Sequence, residues 1–363
     1  MARAMALAVS AGSECAPNPR VGCVLVNPGG ELIGEGRTQR VGGPHAEVMA
    51  LRDAASRGNS TVGSTAYVTL EPCSHHGRTG PCCDALLAAG VRKVVASLED
   101  PNPSVAGQGF AKLRAAGLTV DIGSGADESR ELNLGFFSRM QRKMPWVRMK
   151  IAASIDGQTA LADGSSQWIT SAAARADGHA WRARACAVLT GMGTVRADNP
   201  RLDVRLAPAA RQPHLVLVDS RLETPLDAHL FIAARALFIY VAAHNDIKKT
   251  ALEALGAHIV HCPDHSGASH QVDLKSMLED LARREVNEVH VEAGSILNGA
   301  LLQAGLVDEL LFYVAPKLIG PGRGMASLNP LPDLAAAIAL QFHSVTPVGS
   351  DIRVLARVQK RNL

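Results

Sequence analysis

Two stretches decide the fold of the first part of the chain: GGPHAEVMAL at residues 42–51 and TLEPCSHHGRTGPCCDALLAA at residues 69–89. In each stretch a proline stands next to a histidine or a cysteine, and a run of helix-forming residues follows. Because proline is favoured at the start of a helix, both stretches predict a helix that begins beside a metal-binding side chain. A strand is predicted at Tyr67–Leu70, where the second stretch begins.

The side chains at these helix starts predict a catalytic zinc site. His45, Cys73 and Cys82 supply the nitrogen and sulfur ligands that zinc prefers, and three protein ligands leave the fourth tetrahedral position open for water. Zinc lowers the pKa of that water to near neutrality. Glu47, two residues after His45, is then the expected proton shuttle, since His-x-Glu followed by Pro-Cys is the signature of zinc nucleobase deaminases.

The other cysteines and histidines leave one alternative open. Cys83, His75 or His76 could supply a fourth ligand and make the zinc site purely structural. Glu47 would then have no role, so we favour the catalytic interpretation. The remaining cysteines are interpreted as buried core or loop residues: Cys15, Cys23, Cys186 and Cys262.

Strands and helices alternate along the whole chain of 363 residues, a length typical of two domains. We place the boundary at Pro145, after the charged and helical stretch Asp127–Lys143. The predicted domains are residues 1–144 and 145–363, both of the α/β class. In the second domain the expected strands are WVRMKIAAS, AVLTG, HLVLVDS, ALFIYVA, EVHVEAG and ELLFYVAPKLI, with helices at Ser171–Ala185, Asp273–Glu285 and Ser295–Ala304 and paired strands from Phe342 to Val358.

Composition limits the classes of partner. The net charge is only +3, which does not indicate nucleic-acid binding but is compatible with a small phosphorylated substrate. The first residues lack a signal-peptide pattern, and no apolar run is long enough to cross a bilayer. We therefore expect a cytoplasmic protein with no membrane partner. In that compartment the seven cysteines stay reduced, which favours metal binding over disulfides.

The spacing of the two cysteine ligands narrows the class further. Eight residues separate Cys73 from Cys82, whereas many cytidine deaminases have Cys-x-x-Cys. This insert, preceded by TLEP, resembles the bifunctional deaminase/reductases of riboflavin biosynthesis. Blocks along nearly the whole chain carry the same resemblance: PNPRVGCVLV (17–26), GGPHAEVMAL (42–51), EDPNPSVAGQG (99–109), KIAASIDGQTA (150–160), GSSQWITS (164–171), GTVRADNPRLDVR (193–205), VEAGSILNGALLQAGLVDEL (291–310) and YVAPKLIG (313–320).

The resemblance implies two consecutive reactions on one chain. The first domain would have the cytidine-deaminase-like three-layer α/β/α fold, bind one zinc ion and remove the 2-amino group of 2,5-diamino-6-(5-phosphoribosylamino)pyrimidin-4-one. The second would have the dihydrofolate-reductase-like fold and use NADPH to reduce the ribosyl group, giving 5-amino-6-(5-phosphoribitylamino)uracil. The family also implies a homo-oligomer, a dimer or tetramer formed through the reductase half.

Within the first domain, the resemblance assigns substrate contacts near the zinc site. Arg78, in the insert, suits a substrate phosphate. Thr38 stands where the family usually has His, and Gly80 stands where it usually has Pro. The full set of expected substrate contacts is Asn18, Arg78, Asp100 and Asn102.

For the second domain, the residues alone leave the site open. The segment EVHVEAGSILNGALL predicts a strand, then Gly294 and a helix, which is either an anion cradle or a plain turn between strand and helix. Arg182, Arg201 and Arg205 surround the loop GTVRADNPRLDVR and suit either a phosphate or solvated positions. Trp168 either contacts a cofactor or packs in a core.

The resemblance resolves these alternatives toward a reductase site in which Arg182 and Arg205, but not Arg201, contact substrate. Because hydride chemistry belongs to the nicotinamide, we assign no general acid in this domain. The expected substrate contacts are Ser166, Arg182, Leu202, Arg205, Glu292 and Lys150. The expected NADPH contacts are Ala152, Trp168, Thr194, Asp198, Ser220, Gly294, Ser295, Ile296, Leu297, Asn298 and Gly299.

Two other classes of protein compete with a bifunctional enzyme of flavin biosynthesis. A nucleic-acid or nucleoside zinc deaminase with an accessory reductase-like domain is disfavoured by the near-neutral charge and by the lack of mixed aromatic and basic patches. A non-catalytic zinc module with a degenerate partner domain is disfavoured because Glu47 and the Arg and Gly positions are intact.

Overall fold

The chain forms two compact units, Met1–Met144 and Pro145–Leu363. The division falls before Pro145, the position expected from the sequence. Within the part of the chain that the structure describes, no helix is both long enough and apolar enough to cross a membrane. The computed structural model describes residues 1–75, 80–103, 105–265 and 270–359.

The first unit contains a five-stranded sheet and six helices within the described residues. Its elements in chain order are α1 (Ala2–Ser10), β1 (Gly22–Val26), β2 (Leu32–Arg37), α2 (Ala46–Ser56), β3 (Thr65–Val68), α3 (Cys82–Ala88), β4 (Lys93–Ala96), α4 (Gln108–Ala115), β5 (Thr119–Ile122), α5 (Ala126–Leu132) and α6 (Leu134–Arg142). The strand order is β2-β1-β3-β4-β5, and β3, β4 and β5 run parallel. The segments that follow β3 and β4 therefore meet at one edge of the sheet.

Helix α2 lies directly on β2 because a glycine leaves room for it. A Cβ on Gly36 would lie 2.4 Å from the carbonyl oxygen of Ala46 and 2.4 Å from the backbone nitrogen of Ala50. Both alanines are fully buried. Interiors packed this closely do not accept an added methyl group without a shift of backbone. The contact fixes the start of α2, where His45 is the N-cap residue.

The second unit contains a nine-stranded sheet and a small two-stranded sheet. Its elements in chain order are β6 (Trp146–Ser154), β7 (Gln158–Leu161), α7 (Ala172–Arg184), β8 (Ala187–Gly191), α8 (Met192–Asp198), β9 (His214–Val218), β10 (Leu237–Val241), α9 (Asp246–Ala254), β11 (Ala257–His261), α10 (Leu274–Arg283), β12 (Glu288–Val291), α11 (Ser295–Gln303), β13 (Glu309–Ala315), β14 (Gly322–Gly324), β15 (Leu340–Val348) and β16 (Asp351–Val358), with single 3-10 turns at His229–Phe231 and Leu334–Ala336. The order of the large sheet is β11-β10-β9-β8-β12-β6-β13-β16-β15, and β7 pairs with β14. The strands from β11 to β13 are parallel, whereas β16 and β15 continue antiparallel.

The strand order of this sheet creates a switch point. The chain runs outward from β8 to β11 and then returns to insert β12 between β8 and β6. In open α/β sheets, ligands bind outside the carboxyl ends of the strands at such a point. The residues that follow β8 and β12 therefore lie at the edge where a ligand site is expected.

Several elements differ from the sequence prediction. The stretch Asp127–Lys143 forms two helices, because Asn133 interrupts it and binds the backbone of Arg20 through its side chain. The strand expected at Tyr67–Leu70 is β3, which begins two residues earlier. The sequence analysis missed β7, β14, α8, α9 and β11. With 4 and 3 residues, β7 and β14 are too short to show a periodic pattern.

Candidate functional site

The three side chains predicted to bind zinc come together in the first unit. His45 caps α2, Cys82 is the first residue of α3, and Cys73 follows β3. His45 Nδ1 lies 3.6 Å from Cys73 Sγ and 3.3 Å from Cys82 Sγ, and the three ligand atoms lie within 4.8 Å of one another. Ordinary zinc bond lengths in a tetrahedron separate such nitrogen and sulfur atoms by about 3.6 Å. The donor set and its spacing therefore fit a zinc ion.

Hydrogen bonds prepare one of the thiols for metal binding. The backbone amide of Cys82 donates to Cys73 Sγ at 3.4 Å. The hydrogen bond from the Cys82 thiol, helped by His45 and by that amide, lowers the pKa of Cys73, and the same contact raises the pKa of Cys82. Because the thiolate is the form that binds a metal, Cys73 is ready to act as a ligand.

Glu47 is the buried carboxyl group beside these ligands. It lies in the first turn of α2 and is 4% exposed. Burial raises the pKa of Glu47 to about 7, and the negative charge of Cys73 acts in the same direction. A carboxyl group with a pKa near the working pH can both accept and release a proton. The structure thus brings a proton-transfer group to the three ligands.

Cys83 does not belong to this cluster. Its Sγ donates to the carbonyl oxygen of Pro72 at 3.2 Å and to that of Gly109 at 3.6 Å. Burial also raises the pKa of this thiol to about 12. His75 is exposed, and His76 lies outside the described residues. Among the residues that the structure describes, the ligand cluster therefore holds three side chains, the number expected of a catalytic site.

The segment after β4 brings Asp100 and Asn102 to the same region. Asp100 is 8% exposed, and one of its carboxylate oxygens accepts the backbone amide of Asn102 at 2.8 Å. Burial raises the pKa of Asp100 to about 7, and the charges of Cys73 and His45 also act on it. The backbone amide of Asp100 donates to Glu71, two residues before Cys73, so this loop lies against the segment that carries that ligand.

The other residues of the predicted deaminase site are less closely placed. Asn18 is half-buried before β1, and its backbone N–H donates to the carbonyl of Cys15 at 2.9 Å. Thr38, at the position of the usual family histidine, is buried, and its hydroxyl accepts the amide of Val21 at 3.1 Å. That hydroxyl is used within the fold. Arg78 lies outside the described residues.

Two buried polar residues of the first unit escaped the sequence analysis. Asn133 exchanges hydrogen bonds with the backbone of Arg20, at 2.8 and 3.0 Å. Glu71 is 4% exposed, and its carboxylate accepts amides from the segment after β4. A signal for Glu71 was available, because a carboxylate at the buried end of a strand needs internal hydrogen-bond donors.

In the second unit, an ion pair lies at the carboxyl end of β12. Arg182 of α7 donates to both oxygens of Glu292, at 2.6 and 2.9 Å. Burial alone would raise the pKa of Glu292, but Arg182 and Lys150 outweigh it and hold the pKa well below its usual range. His290 Nε2 lies 3.6 Å from the same carboxylate. Lys150 follows Met149, the β6 partner of Val291, so it lies on the strand next to Glu292. The predicted contacts Lys150, Arg182 and Glu292 thus lie in one region.

The loop before β9 is held next to this group. Arg182 also donates to the backbone carbonyl of Asp203. The Asp203 carboxylate pairs with Arg205 at 2.7 Å and with Arg201 at 2.8 Å. Leu202 is buried with a positive φ of 51°, and Arg235, which the sequence analysis missed, donates to its carbonyl at 2.6 Å. These contacts hold the loop within the fold, and the Arg205 side chain is 49% exposed.

Two helices begin at the switch point, α8 after Gly191 and α11 after Gly294. A Cβ on Gly294 would have Thr194 Oγ1 as its nearest neighbour, at 4.0 Å, so the space above this glycine is open. At the start of α11, Ser295 is half-buried and Ile296 is 81% exposed. Backbone amides at open helix starts suit an anionic group such as the pyrophosphate of a dinucleotide.

The rest of the predicted cofactor segment has packing roles. The Asn298 side chain is buried and donates to the carbonyl of Met325 at 2.9 Å. A Cβ on Gly299 would lie 2.0 Å from the carbonyl oxygen of Ser327, so only glycine fits there. Leu297 packs against the end of β8. These contacts hold α11 in place beside the open space at Gly294.

Trp168 is 60% exposed, which argues against a core position for this ring. The guanidinium of Arg175 lies 4.3 Å from the centre of its ring, a cation–π distance. Ser166 is half-buried in the same loop. The other expected cofactor contacts lie on three different elements: Ala152 in β6, Asp198 at the end of α8 and Ser220 after β9.

Fold and metal ligands together define a class of protein, a zinc-dependent deaminase unit joined to a second α/β unit. Residues 1–98 match the cytidine and deoxycytidylate deaminase zinc-binding region, and residues 145–354 match the RibD C-terminal domain. The riboflavin biosynthesis protein RibD of Escherichia coli (strain K12) is 46% identical over 366 residues, which cover 97% of this chain and 96% of that protein.

Solved structures agree with these matches. Acinetobacter baumannii RibD, form 1, has a TM-score of 0.88 at 39% identity, covering 99% of this chain and 98% of the other. The Thermotoga maritima diaminohydroxyphosphoribosylaminopyrimidine deaminase/5-amino-6-(5-phosphoribosylamino)uracil reductase has a TM-score of 0.86 at 32% identity, covering 99% and 97%. This chain therefore belongs to the RibD family, the bifunctional deaminase/reductases of riboflavin biosynthesis. The predicted family and the two predicted fold classes are confirmed.

Replacing Cys82 by serine is expected to abolish stoichiometric zinc binding, because a neutral hydroxyl is a poor substitute for a thiolate ligand. The loss of affinity should exceed the roughly 100-fold that changes outside the ligand set can cause. Zinc content measured by atomic absorption tests this. Cys83→Ser is the matched control and should keep its zinc, since Cys83 binds only backbone carbonyls. Equal zinc loss in both variants would contradict the three-ligand assignment.

Proposed function

We propose that this chain deaminates 2,5-diamino-6-(5-phosphoribosylamino)pyrimidin-4-one and then reduces the product with NADPH to 5-amino-6-(5-phosphoribitylamino)uracil. The observation that carries this proposal is the convergence of His45, Cys73, Cys82 and the buried Glu47 in a unit joined to a reductase unit. The name of the Thermotoga maritima relative describes the same two substrates for that protein.

In the deamination step, the residues of the first unit bind the pyrimidine and move the proton. Zinc, when bound, supplies an activated water at neutral pH. Glu47 would accept a proton of the attacking water on its carboxylate while the water oxygen bonds to C2 of the pyrimidine. It would return that proton to the 2-amino group, which leaves as ammonia, a role that a pKa of about 7 favours. Asp100 and Asn102, with Asn18, orient the pyrimidine, and Arg78 pairs with the substrate phosphate.

In the reduction step, the second unit aligns the sugar with the nicotinamide. NADPH supplies the hydride when it is bound. The Arg182–Glu292 pair presents a fixed carboxylate to the sugar hydroxyls, and Lys150 adds a positive charge on the neighbouring strand. Arg205, with Ser166 and Leu202, holds the phosphate end. The cofactor lies over Gly294, Thr194 and Trp168, where the structure leaves open space and an exposed ring.

The location and partners follow from the same chemistry. We place the enzyme in the cytoplasm, because the thiols of its metal site must stay reduced to bind zinc. The formal net charge of +3 gives no basis for a nucleic-acid partner. The partner that the two sites require is a small phosphorylated pyrimidine.

A self-association surface is proposed on the outer strands of the second unit. β15 is an edge strand of the large sheet, and apolar side chains on it and on β16 face solvent. Phe342 is 73% exposed, Val345 is 59% exposed and Ile352 is 45% exposed. An apolar edge strand of this kind normally pairs with another chain or is covered. We therefore propose a homo-oligomer, a dimer or tetramer, joined through this surface.

The stepwise assay of both reactions tests the proposed function. Wild-type chain given the phosphoribosyl diaminopyrimidine should release ammonia without NADPH and should oxidise NADPH only after that release. Glu47→Gln should keep its zinc but lose roughly 10²- to 10⁴-fold in deamination rate, because the amide cannot carry the proton. The same variant should reduce the deaminated intermediate at the wild-type rate. Near-normal deamination by Glu47→Gln would exclude the proposed mechanism.

Arg205→Ala should raise KM for the deaminated substrate about 10- to 100-fold, since a hydrogen bond to a charged group is removed. Deamination by the same protein should not change. Arg201→Ala is the matched control, because Arg201 pairs with the same Asp203 carboxylate and is similarly exposed, at 45%. Steady-state reductase kinetics on both variants measure the difference. Similar KM values for the two variants would argue against a phosphate contact at Arg205.

Phe342→Glu should shift the chain toward monomers, because a buried carboxylate at an apolar interface is costly. Light scattering of the purified protein across a concentration series measures the mass. Leu334→Glu is a suitable control, since Leu334 is 91% exposed and lies outside β15 and β16. An unchanged oligomer mass for Phe342→Glu would show that this surface does not hold the chains together.

A further inference from the structure

Glu71 is a buried acid to which the catalytic scheme gives no task. It is 4% exposed and stands two residues before the ligand Cys73, separated from it only by Pro72. A carboxylate in such a place needs strong internal hydrogen bonds, because its transfer from water is costly. Its partners therefore indicate what the residue holds.

All four of the donors that the structure gives it are backbone amides from the segment after β4. Glu71 Oε2 accepts from Asp100 at 3.1 Å and from Gly107 at 2.9 Å. Glu71 Oε1 accepts from Gly109 at 2.8 Å and from Phe110 at 3.1 Å. Gly109 and Phe110 belong to the first turn of α4, so one oxygen caps a helix while the other holds the loop before it.

A close backbone contact strengthens the same junction. A Cβ on Gly109 would lie 2.0 Å from the carbonyl oxygen of Pro72, so the two segments touch through their main chains. The Cys83 thiol donates to the carbonyls of both Pro72 and Gly109. The segment that carries Cys73 is therefore tied directly to the segment that carries Asp100.

We propose that Glu71 is a positioning residue of the deaminase site, which sets the substrate-contacting loop of Asp100 and Asn102 relative to the metal ligands. The backbone amide of Asp100 donates to Glu71, and the Asp100 carboxylate accepts the backbone amide of Asn102 at 2.8 Å. Asp100 therefore links Glu71 to Asn102. This inference rests on the proposed deaminase function, in which Asp100 and Asn102 contact the pyrimidine.

The arrangement requires a carboxylate rather than an amide. Each oxygen of Glu71 accepts two N–H groups, and a glutamine has only one oxygen that can do so. In Glu71→Gln the –NH2 group would face two backbone N–H donors, and the two hydrogen bonds to that position would be lost. The side chain keeps its size, so the packing around it is preserved.

The test is deamination kinetics on the full-length, zinc-loaded chain with Glu71→Gln. We expect KM for the phosphoribosyl diaminopyrimidine to rise about 10- to 100-fold, kcat to change less, and zinc to remain at one ion per chain. Reduction of the deaminated intermediate should stay within twofold of wild type. Glu99→Gln is the matched control, because Glu99 is exposed and lies beside the same loop near Gly107.

Hydrogen exchange gives a readout independent of activity. In Glu71→Gln, the amides of at least one pair, Asp100 with Gly107 or Gly109 with Phe110, should exchange faster than in wild type and in Glu99→Gln. Gly109→Ala should separate the same two segments, because the added Cβ would clash with the Pro72 carbonyl. This variant should show the same rise in KM.

Each outcome has a definite meaning. A raised KM with full zinc content supports the positioning role. An unchanged KM with unchanged hydrogen exchange would overturn it. Loss of both the zinc and the fold of the first unit would also overturn it, because Glu71 would then be purely structural. If the wild-type chain releases no ammonia from this substrate, the proposed function fails, and the positioning role for this loop falls with it.

Discussion

Buried negative groups held by backbone amides organise the first unit. The Glu71 carboxylate accepts amides from the first turn of α4, and Cys73 Sγ accepts the amide at the start of α3. Glu47 lies in the first turn of α2. Helix starts offer unpaired N–H donors and the positive end of the helix dipole, which offset the cost of burying an anion. The helices therefore begin where the metal ligands and the proton-transfer group are needed.

The second unit stabilises its buried charges by ion pairs between side chains. Arg148 in β6 is 1% exposed and lies between Glu288 of β12 and Glu309 of β13. The parallel register places Glu309 beside Arg148, whereas Glu288 lies two residues before His290, the β12 partner of Arg148. The Arg182–Glu292 pair lies just beyond the end of β12. Such pairs are specific in geometry, and loss of one partner leaves an unpaired charge that is costly. The loop before β9 follows the same rule, since Asp203 is held by Arg182, Arg201 and Arg205.

Local chemistry in the sequence was enough to predict the ligand cluster and most of the strands. A proline followed by helix-forming residues predicts the helix starts at His45 and Cys82. The two side chains are neighbours in the structure. The partners of Glu71, Asn133 and Arg235 could not be predicted in the same way, because they are backbone groups distant in sequence. The packing of Asn298 and Gly299 could not be predicted either, because their contacts are with Met325 and Ser327, which are distant in sequence.

The division into two compact units on one polypeptide has a consequence for the cell. Translation produces one deaminase site for every reductase site, so the ratio of the two activities cannot drift with expression level. A change in abundance scales both steps equally. The balance between the two steps is then set by the intrinsic rates of the two sites, which natural selection can tune separately because each unit has its own hydrophobic core.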